Sequence, residues 1–252
     1  MNNKIKEKIK EKYAKIALTG NSDRCCMPGE CSTDGSIIGT AKVIGYDQEE
    51  LKSIPEAAVL GVGCGAPIKF ADLKEGYTVV DLGSGAGIDA FLSANKVSKS
   101  GKVIGIDMTD QMLDKARKNA KEGNYTNVEF RKGDIENNIP VDDDTVDAVI
   151  SNCVINLTMD KTSTFREVHR ILKQGGRVII SDLVTDREIE QGQVNAEQWC
   201  SCIDGTFTKE NYIQSIKKAG FGNVEVLEER TYMEGEKVNG RKISSLVIRA
   251  IK

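Results

Sequence analysis

The sequence predicts an α/β fold: a doubly wound, mostly parallel, Rossmann-like sheet with an antiparallel strand at one edge and a helical, loop-rich extension at the N-terminus. Three observations carry this. From Tyr77 onward, short apolar runs alternate with helical stretches, and strand alternating with helix implies right-handed crossovers and parallel strands. The first run ends in a glycine-rich turn, "VVDLGSGAGID", where such sheets bind ligands. The last two strand-like stretches lie close enough in the chain to pair antiparallel. At 252 residues the chain can bury one good core, so one domain with additions is expected: an extension or lid over 1–70 and the main domain over 71–252.

The elements follow in order. "MNNKIKEKIKEKYAKIAL" places Ile5, Ile9, Tyr13 and Ile16 on one helical face, which either packs on the core or closes over a ligand. "TGNSDRCCMPGECSTDGSIIG" has neither periodicity and reads as loop, and "DQEELKSIP" as a short helix capped by Asp47. "YTVVDLG", "GKVIGIDMT", "VEFRKGD", "VDAVISN" and "GRVIISDL" are the strands. Between them "IDAFLSANKVS", "TDQMLDKARKNAKEGN", capped by Thr109 or Asp110 and closed near Gly123, and "STFREVHRILKQGG" are helical. "KENYIQSIKKAG" is a last helix, and "NVEVLEER" and "ISSLVIRAI" are the edge strands.

Composition narrows the function. A net charge of −3, with no lysine or arginine stripe among aromatics, gives no nucleic-acid surface, and a small-molecule substrate is favoured. No apolar run approaches the roughly 18 residues of a membrane helix, and the N-terminus carries charge where a signal peptide has its apolar stretch. A cytoplasmic monomer is expected. Seven cysteines, an odd count without export signals, point to free, metal-binding or redox thiols. The single histidine, His169, sits near a helix C-terminus, where the dipole suits it; histidine-rich zinc chemistry and a Ser-His-Asp triad are poorly supported.

The glycine turn is more informative. Gly83, Gly85 and Gly87 follow Asp81 in the order G-x-G-x-G, with Ser84 between the first two, whereas a dinucleotide fingerprint has G-x-G-x-x-G/A. This stretch resembles the class I S-adenosylmethionine-dependent methyltransferases, which implies that cofactor. Asp107, about twenty residues on, ends the next strand where a carboxylate can accept from ribose hydroxyls. The resemblance further implies that Asp134, after Gly133, faces the adenine amino group while Met108 and Ile135 pack on the ring. Asn152 closes the candidate lining at the end of the fourth strand.

The cysteines cluster in "RCCMPGEC", "LGVGCGAP", "VISNCVINL" and "QWCSCIDG", all in loops or at element ends. "LGVGCGAP", "DLGSGAGID", "VISNCVINL" and "WCSCIDG" in this order resemble the arsenite methyltransferases, over about Tyr13 to Gly205. The resemblance implies that Cys153 and Cys202 hold trivalent arsenic, the latter in a loop around 195–206, with Cys64 as third thiol. A further thiol from Cys25, Cys26 or Cys31 would ligate or form a disulfide with Cys64; spacing does not decide which. It implies a thiol-conjugated arsenical as substrate and a reductant of the glutathione or thioredoxin type.

The chemistry agrees. Trivalent arsenic is soft, so thiolates outcompete nitrogen and oxygen. Its lone pair is the nucleophile and carries no proton, so no general base is needed, unlike the case of an oxygen or nitrogen acceptor. Two other readings compete: a methyltransferase acting on carbon in a quinone or sterol, with incidental cysteines, and a non-catalytic thiol module holding zinc or a metalloid. A nicotinamide oxidoreductase fits the glycine spacing less well.

Overall fold

A computed structural model describes residues 2–20, 37–190, 194–232 and 240–252. The candidate thiols Cys25, Cys26 and Cys31 fall outside these. Seven strands form one sheet in the order β3-β2-β1-β4-β5-β7-β6: β1 (Thr78–Leu82), β2 (Lys102–Asp107), β3 (Val128–Lys132), β4 (Val146–Asn152), β5 (Leu172–Thr185), β6 (Asn223–Tyr232) and β7 (Ile243–Ile251). The first five are parallel to one another, and β7 runs antiparallel between β5 and β6. Strand order reverses at β1, which lies between β2 and β4. Ligands bind outside the carboxyl ends at such a point.

The helices, in chain order among the described residues, are α1 (Asn2–Thr19), α2 (Ile37–Val43), α3 (Gln48–Lys52), α4 (Ile88–Val97), α5 (Asp110–Glu122), α6 (Lys161–Ile171), α7 (Ala196–Trp199) and α8 (Lys209–Lys218). Successive residues of β1 serve opposite faces of the sheet. Val79 joins a core with Phe91, Leu113 and Ile179, whereas Val80 joins Phe165, Ile180 and Tyr212 on the other side. A third apolar cluster lies over the carboxyl ends of the strands and contains Ile5, Ile9 and Ile16 together with Cys64, Cys153, Cys200 and Cys202. The apolar face of α1 is therefore buried, with Tyr13 partly so, against the same cluster that holds the thiols.

Most expected elements form where the pattern placed them, and Asp47 caps α3 through bonds from the Glu49 and Glu50 amides. Two boundaries differ. Ile37, Ile38 and Gly39, read as the end of a loop, open α2, whose Ala41 is buried in the first core together with Ile44 just beyond the helix; tertiary burial overrides the weak helical signal of "IIGTAKV". The helix containing His169 stops at Ile171 rather than running to Gly176, and Leu172 begins β5. The amides of Asp144 and Thr145 bond the carbonyls of Arg170 and Ile171, so the helix end hands over to the sheet. Thr109 occupies the cap position of α5 but its side chain makes no capping bond.

Candidate active site

The turn after β1 is shaped by its glycines for different reasons. Gly83 has φ +65°, and a Cβ there would stand 2.5 Å from Val154 Cγ2, so this glycine lets the β1 turn press against the loop that carries Cys153. Gly85, at φ +54°, has open space before it, the nearest atom being Met112 Sδ at 3.9 Å. That space belongs to a cavity with an empty volume of about 1130 Å³, solvent at its mouth included. Gly87 does not line the cavity; it starts α4, and a Cβ there would meet the Phe91 ring.

The cavity wall holds Asp81, Gly83, Ser84, Gly85, Asp107, Met108, Gly133, Asp134, Ile135, Asn152 and Cys153. Asp107 clamps the turn: Oδ2 accepts from the Gly85 amide at 3.0 Å and Oδ1 from the Thr109 amide at 2.8 Å. Burial raises its pKa against those bonds. Ionised carboxylates offer about four lone-pair positions, so Asp107 keeps acceptor capacity for a ligand. Asp134 is also engaged: its Oδ2 accepts from Lys6 Nζ at 2.8 Å and from Asn137 Nδ2 at 2.7 Å. Burial works to raise its pKa, but Lys6, the Glu136 amide and Asn137 outweigh it and hold the carboxyl low. Lys6 also pairs with Glu136 Oε2 at 2.8 Å, so α1 is pinned over the cavity that Lys6, Ile9 and Tyr13 help to line.

Three buried polar atoms in the wall, Asp81 Oδ2, Ser84 Oγ and Asp89 Oδ1, have no hydrogen-bond partner among the described residues. Burying such groups is costly unless a ligand satisfies them. Burial, followed by the charges of Asp89 and Asp107, pushes the pKa of Asp81 well up, and burial raises Asp89 to about 6. An adenosyl cofactor with a cationic amino acid end fits this lining: apolar Ile106, Met108, Ile135 and Leu157 for its flat base, and acids with spare acceptors for its ammonium group.

Sequence reasoning missed Asp89, in the wall, and Tyr46, behind it. Tyr46 Oη donates to Asp89 Oδ2 at 2.7 Å, and Asn152 Nδ2 donates to Tyr46 Oη at 2.8 Å and to the Gly65 carbonyl at 2.8 Å. Asn152 Oδ1 in turn accepts from the Cys64 amide at 3.2 Å. Asn152 therefore joins the cofactor wall to the thiol loop. No sequence signal marks Tyr46, whereas Asp89 was open to notice as the acid that follows the glycine turn.

Of the thiols, Cys153 lines the cavity. Cys153 follows β4 at φ +59°, its amide bonded to the Ser181 carbonyl, and Cys202 has φ +62°. Left-handed backbone at a non-glycine residue costs roughly 1–2 kcal/mol and is often held at functional positions. Cys202 Sγ donates to the Cys153 carbonyl at 2.8 Å, and Cys64 Sγ is 3.7 Å from Ser181 Oγ. Cys64, Cys153 and Cys202 are thus gathered from three distant segments and buried. The tightest group among the described residues, however, is Cys64, Cys153 and Asp182, whose ligand atoms all lie within 4.8 Å of one another. Cys202 stands outside that trio, and Cys200 is buried nearby in the same cluster.

Asp182 is itself fixed: Oδ2 accepts from Tyr212 Oη at 3.0 Å and the Asn156 amide at 3.1 Å, and Oδ1 from the Leu183 amide at 3.0 Å. Burial pushes its pKa up to about 6, and burial lowers that of Lys161, whose ammonium lies 4.5 Å from the Phe207 ring centroid, to about 8. The two charges oppose these shifts. Asp182 lies on β5, at the same end of the sheet as Asp81 and Asp107, so the strand-end logic that found those acids extends to it.

A parallel sheet whose order reverses at a glycine turn, with acids at the strand ends and an antiparallel β7 inserted before the edge, is the architecture of a class I methyltransferase. The family model of the methyltransferase domain matches residues 73–220, and the chain belongs to that family. It is 40% identical over 230 residues to the arsenite methyltransferase of Halobacterium salinarum, covering 88% of this chain and 58% of that protein. It is 32% identical over 202 residues to the human arsenite methyltransferase, covering 76% and 53%. Among solved structures, the arsenic(III) S-adenosylmethionine methyltransferase of Chlamydomonas reinhardtii superposes with a TM-score of 0.67 at 28% identity, over 86% of this chain and 74% of that one. The chain spans little more than half the length of these curated relatives.

Proposed function

We propose that this chain transfers methyl groups from S-adenosylmethionine to trivalent arsenic held by its own thiols, as a monomeric cytoplasmic detoxification enzyme recharged by a thiol reductant of the glutathione or thioredoxin type. One observation carries the reading: Cys153 forms part of the wall of the cavity that the glycine turn opens, with Cys64 beside it and the Cys202 sulfur against its carbonyl oxygen. The naming of the relatives supports the same substrate.

The bound cofactor supplies an electrophilic methyl group. Asp81, Ser84 and Asp89 would hold its amino acid end, Asp107 its ribose, and Met108 and Ile135 its base. The chain's own part is alignment. Cys64, Cys153 and Cys202 fix the substrate so that its lone pair points along the cavity, a geometry productive at about 3–3.5 Å between reacting atoms. The extension over 1–70 serves as a lid: Lys6, Ile9 and Tyr13 close the mouth and exclude water. No side chain has to take a proton from the arsenic, in keeping with a wall that holds no histidine.

Mass spectrometry of the products formed from arsenite, labelled cofactor and a small thiol tests the proposal. Methylated arsenicals are expected from the parent protein, with rates down at least a hundredfold in Cys153→Ser and Cys202→Ser. Full activity in both variants would discard the thiol mechanism, and label appearing only on a carbon acceptor would favour the quinone or sterol alternative.

A further inference from the structure

We infer that Cys64, Cys153 and Asp182 form a binding site for a borderline divalent cation, zinc foremost, whose donor set overlaps the three-thiol site for arsenic and differs from it by Asp182 in place of Cys202. The donor atoms of the three residues lie within 4.8 Å of one another and all three residues are buried. Around a tetrahedral zinc with sulfur at about 2.3 Å and oxygen at about 2.0–2.2 Å, ligand atoms stand roughly 3.3–3.8 Å apart. The trio thus needs to draw in by at most about an ångström, within the reach of side-chain torsions.

Three further features fit a cation. Asp182 is oriented by the Asn156 and Leu183 amides and the Tyr212 hydroxyl, the kind of support that ligating carboxylates have. The charges close: two thiolates and one carboxylate against a dication leave −1, and the buried Lys161 ammonium, which interacts with Asp182, cancels it. Cys153 lines the cavity, which gives an entry path, and the fourth position of the cation would be left to water. The donor set is selective. Two sulfurs and one oxygen suit zinc, which accepts thiolate and carboxylate together, and do not suit magnesium or calcium, which require oxygen shells. They are also one thiol short of the pyramidal three-sulfur set for arsenic. Binding releases the two thiol protons to solvent and leaves both S–metal bonds dative, with no change of oxidation state.

The cation and arsenic share Cys64 and Cys153, so occupancy by one excludes the other. The inference does not rest on methyl transfer and survives if arsenite is the wrong substrate. Zinc chloride added to the reduced full chain should bind one to one in calorimetry. X-ray absorption of that sample should show two sulfurs near 2.3 Å with oxygen neighbours near 2.0 Å. Three or four sulfurs, or no stoichiometric binding, would overturn the assignment. With cobalt chloride as the probe, thiolate charge-transfer absorption should weaken at least tenfold in affinity in Asp182→Asn and stay within twofold of the parent in Cys202→Ser. The reverse pattern also overturns it. Because Asp182 is structural as well, the absorption spectrum of the unaltered protein decides if Asp182→Asn fails to fold.

Discussion

Replacing Tyr46 by phenylalanine removes the hydroxyl that donates to Asp89 Oδ2 at 2.7 Å and accepts from Asn152 Nδ2 at 2.8 Å, in a setting where Tyr46 and Asp89 are both 3% exposed. A hydrogen bond to a buried charge is worth about 1.5–3 kcal/mol and one between neutral groups about 0.5–1.5 kcal/mol. Which value applies depends on the charge of Asp89, whose pKa burial raises from 3.8 to about 6 although Tyr46 and Asn152 both pull it down. A carboxyl raised in the folded state contributes its full stability below pH 3.8 and loses it as pH rises through about 6. Without the tyrosine hydroxyl the carboxyl rises further, so that loss moves to higher pH. Tyr46→Phe should therefore destabilise by about 1.5–3 kcal/mol at pH 8, where the parent carboxylate is ionised and bonded, and by about 0.5–1.5 kcal/mol at pH 5, where it is neutral in both proteins. Urea unfolding of both proteins at the two pH values measures this, and pH effects common to both cancel. An equal penalty at pH 5 and pH 8 would refute an ionised Asp89 held by Tyr46.

Other substitutions separate packing from ligand binding. Gly83→Ala forces a left-handed alanine against Val154 and should cost about 2–5 kcal/mol in urea unfolding, from backbone strain and overpacking together; Gly85→Ala, with open space before it, should cost only about 1–2 kcal/mol yet weaken cofactor binding in calorimetry. Lys6→Met should destabilise by about 1 kcal/mol and raise the KM for the cofactor, because α1 loses the ion pairs to Asp134 and Glu136 that pin it over the cavity; an unchanged or lower KM would contradict that role. Trp199 donates from Nε1 to the Leu157 carbonyl at 3.1 Å and packs against the thiol cluster, so arsenite should quench its fluorescence in the parent and not in Cys202→Ser.

The sheet was readable because each strand is an apolar run ended by a polar break, and the order of strands and helices leaves few topologies open. The boundary of α6 was not, since its last carbonyls are bonded by residues 144–145, a contact made only in the folded chain. Asp81, Asp107 and Asp134 were legible as acids at strand ends. What each does was less so: Asp107 bonds the Gly85 amide and Asp134 bonds a lysine 128 residues away. Tyr46 and Lys161 carry no local signal, because their meaning comes from partners that the fold brings to them.

The thiol segments hold strained conformations. Cys153 and Cys202 both pay for left-handed backbone, and the Cys202 thiol donates to the main-chain carbonyl of Cys153. In this arrangement Asp182, with Cys64 and Cys153, completes the compact trio, and under the proposed arsenic chemistry Cys202 would exchange its carbonyl partner for the metalloid. A soft ion that forms a third sulfur bond would supply the free energy for that exchange, whereas zinc at the proposed site would gain its third ligand from Asp182 with Cys202 left in place. The loop around 195–206 is then a discriminator: Cys202→Ser should abolish the arsenic-induced change at Trp199 while zinc binding persists. If zinc quenched Trp199 as strongly as arsenite does, the loop would be responding to any occupant and the discrimination would fail.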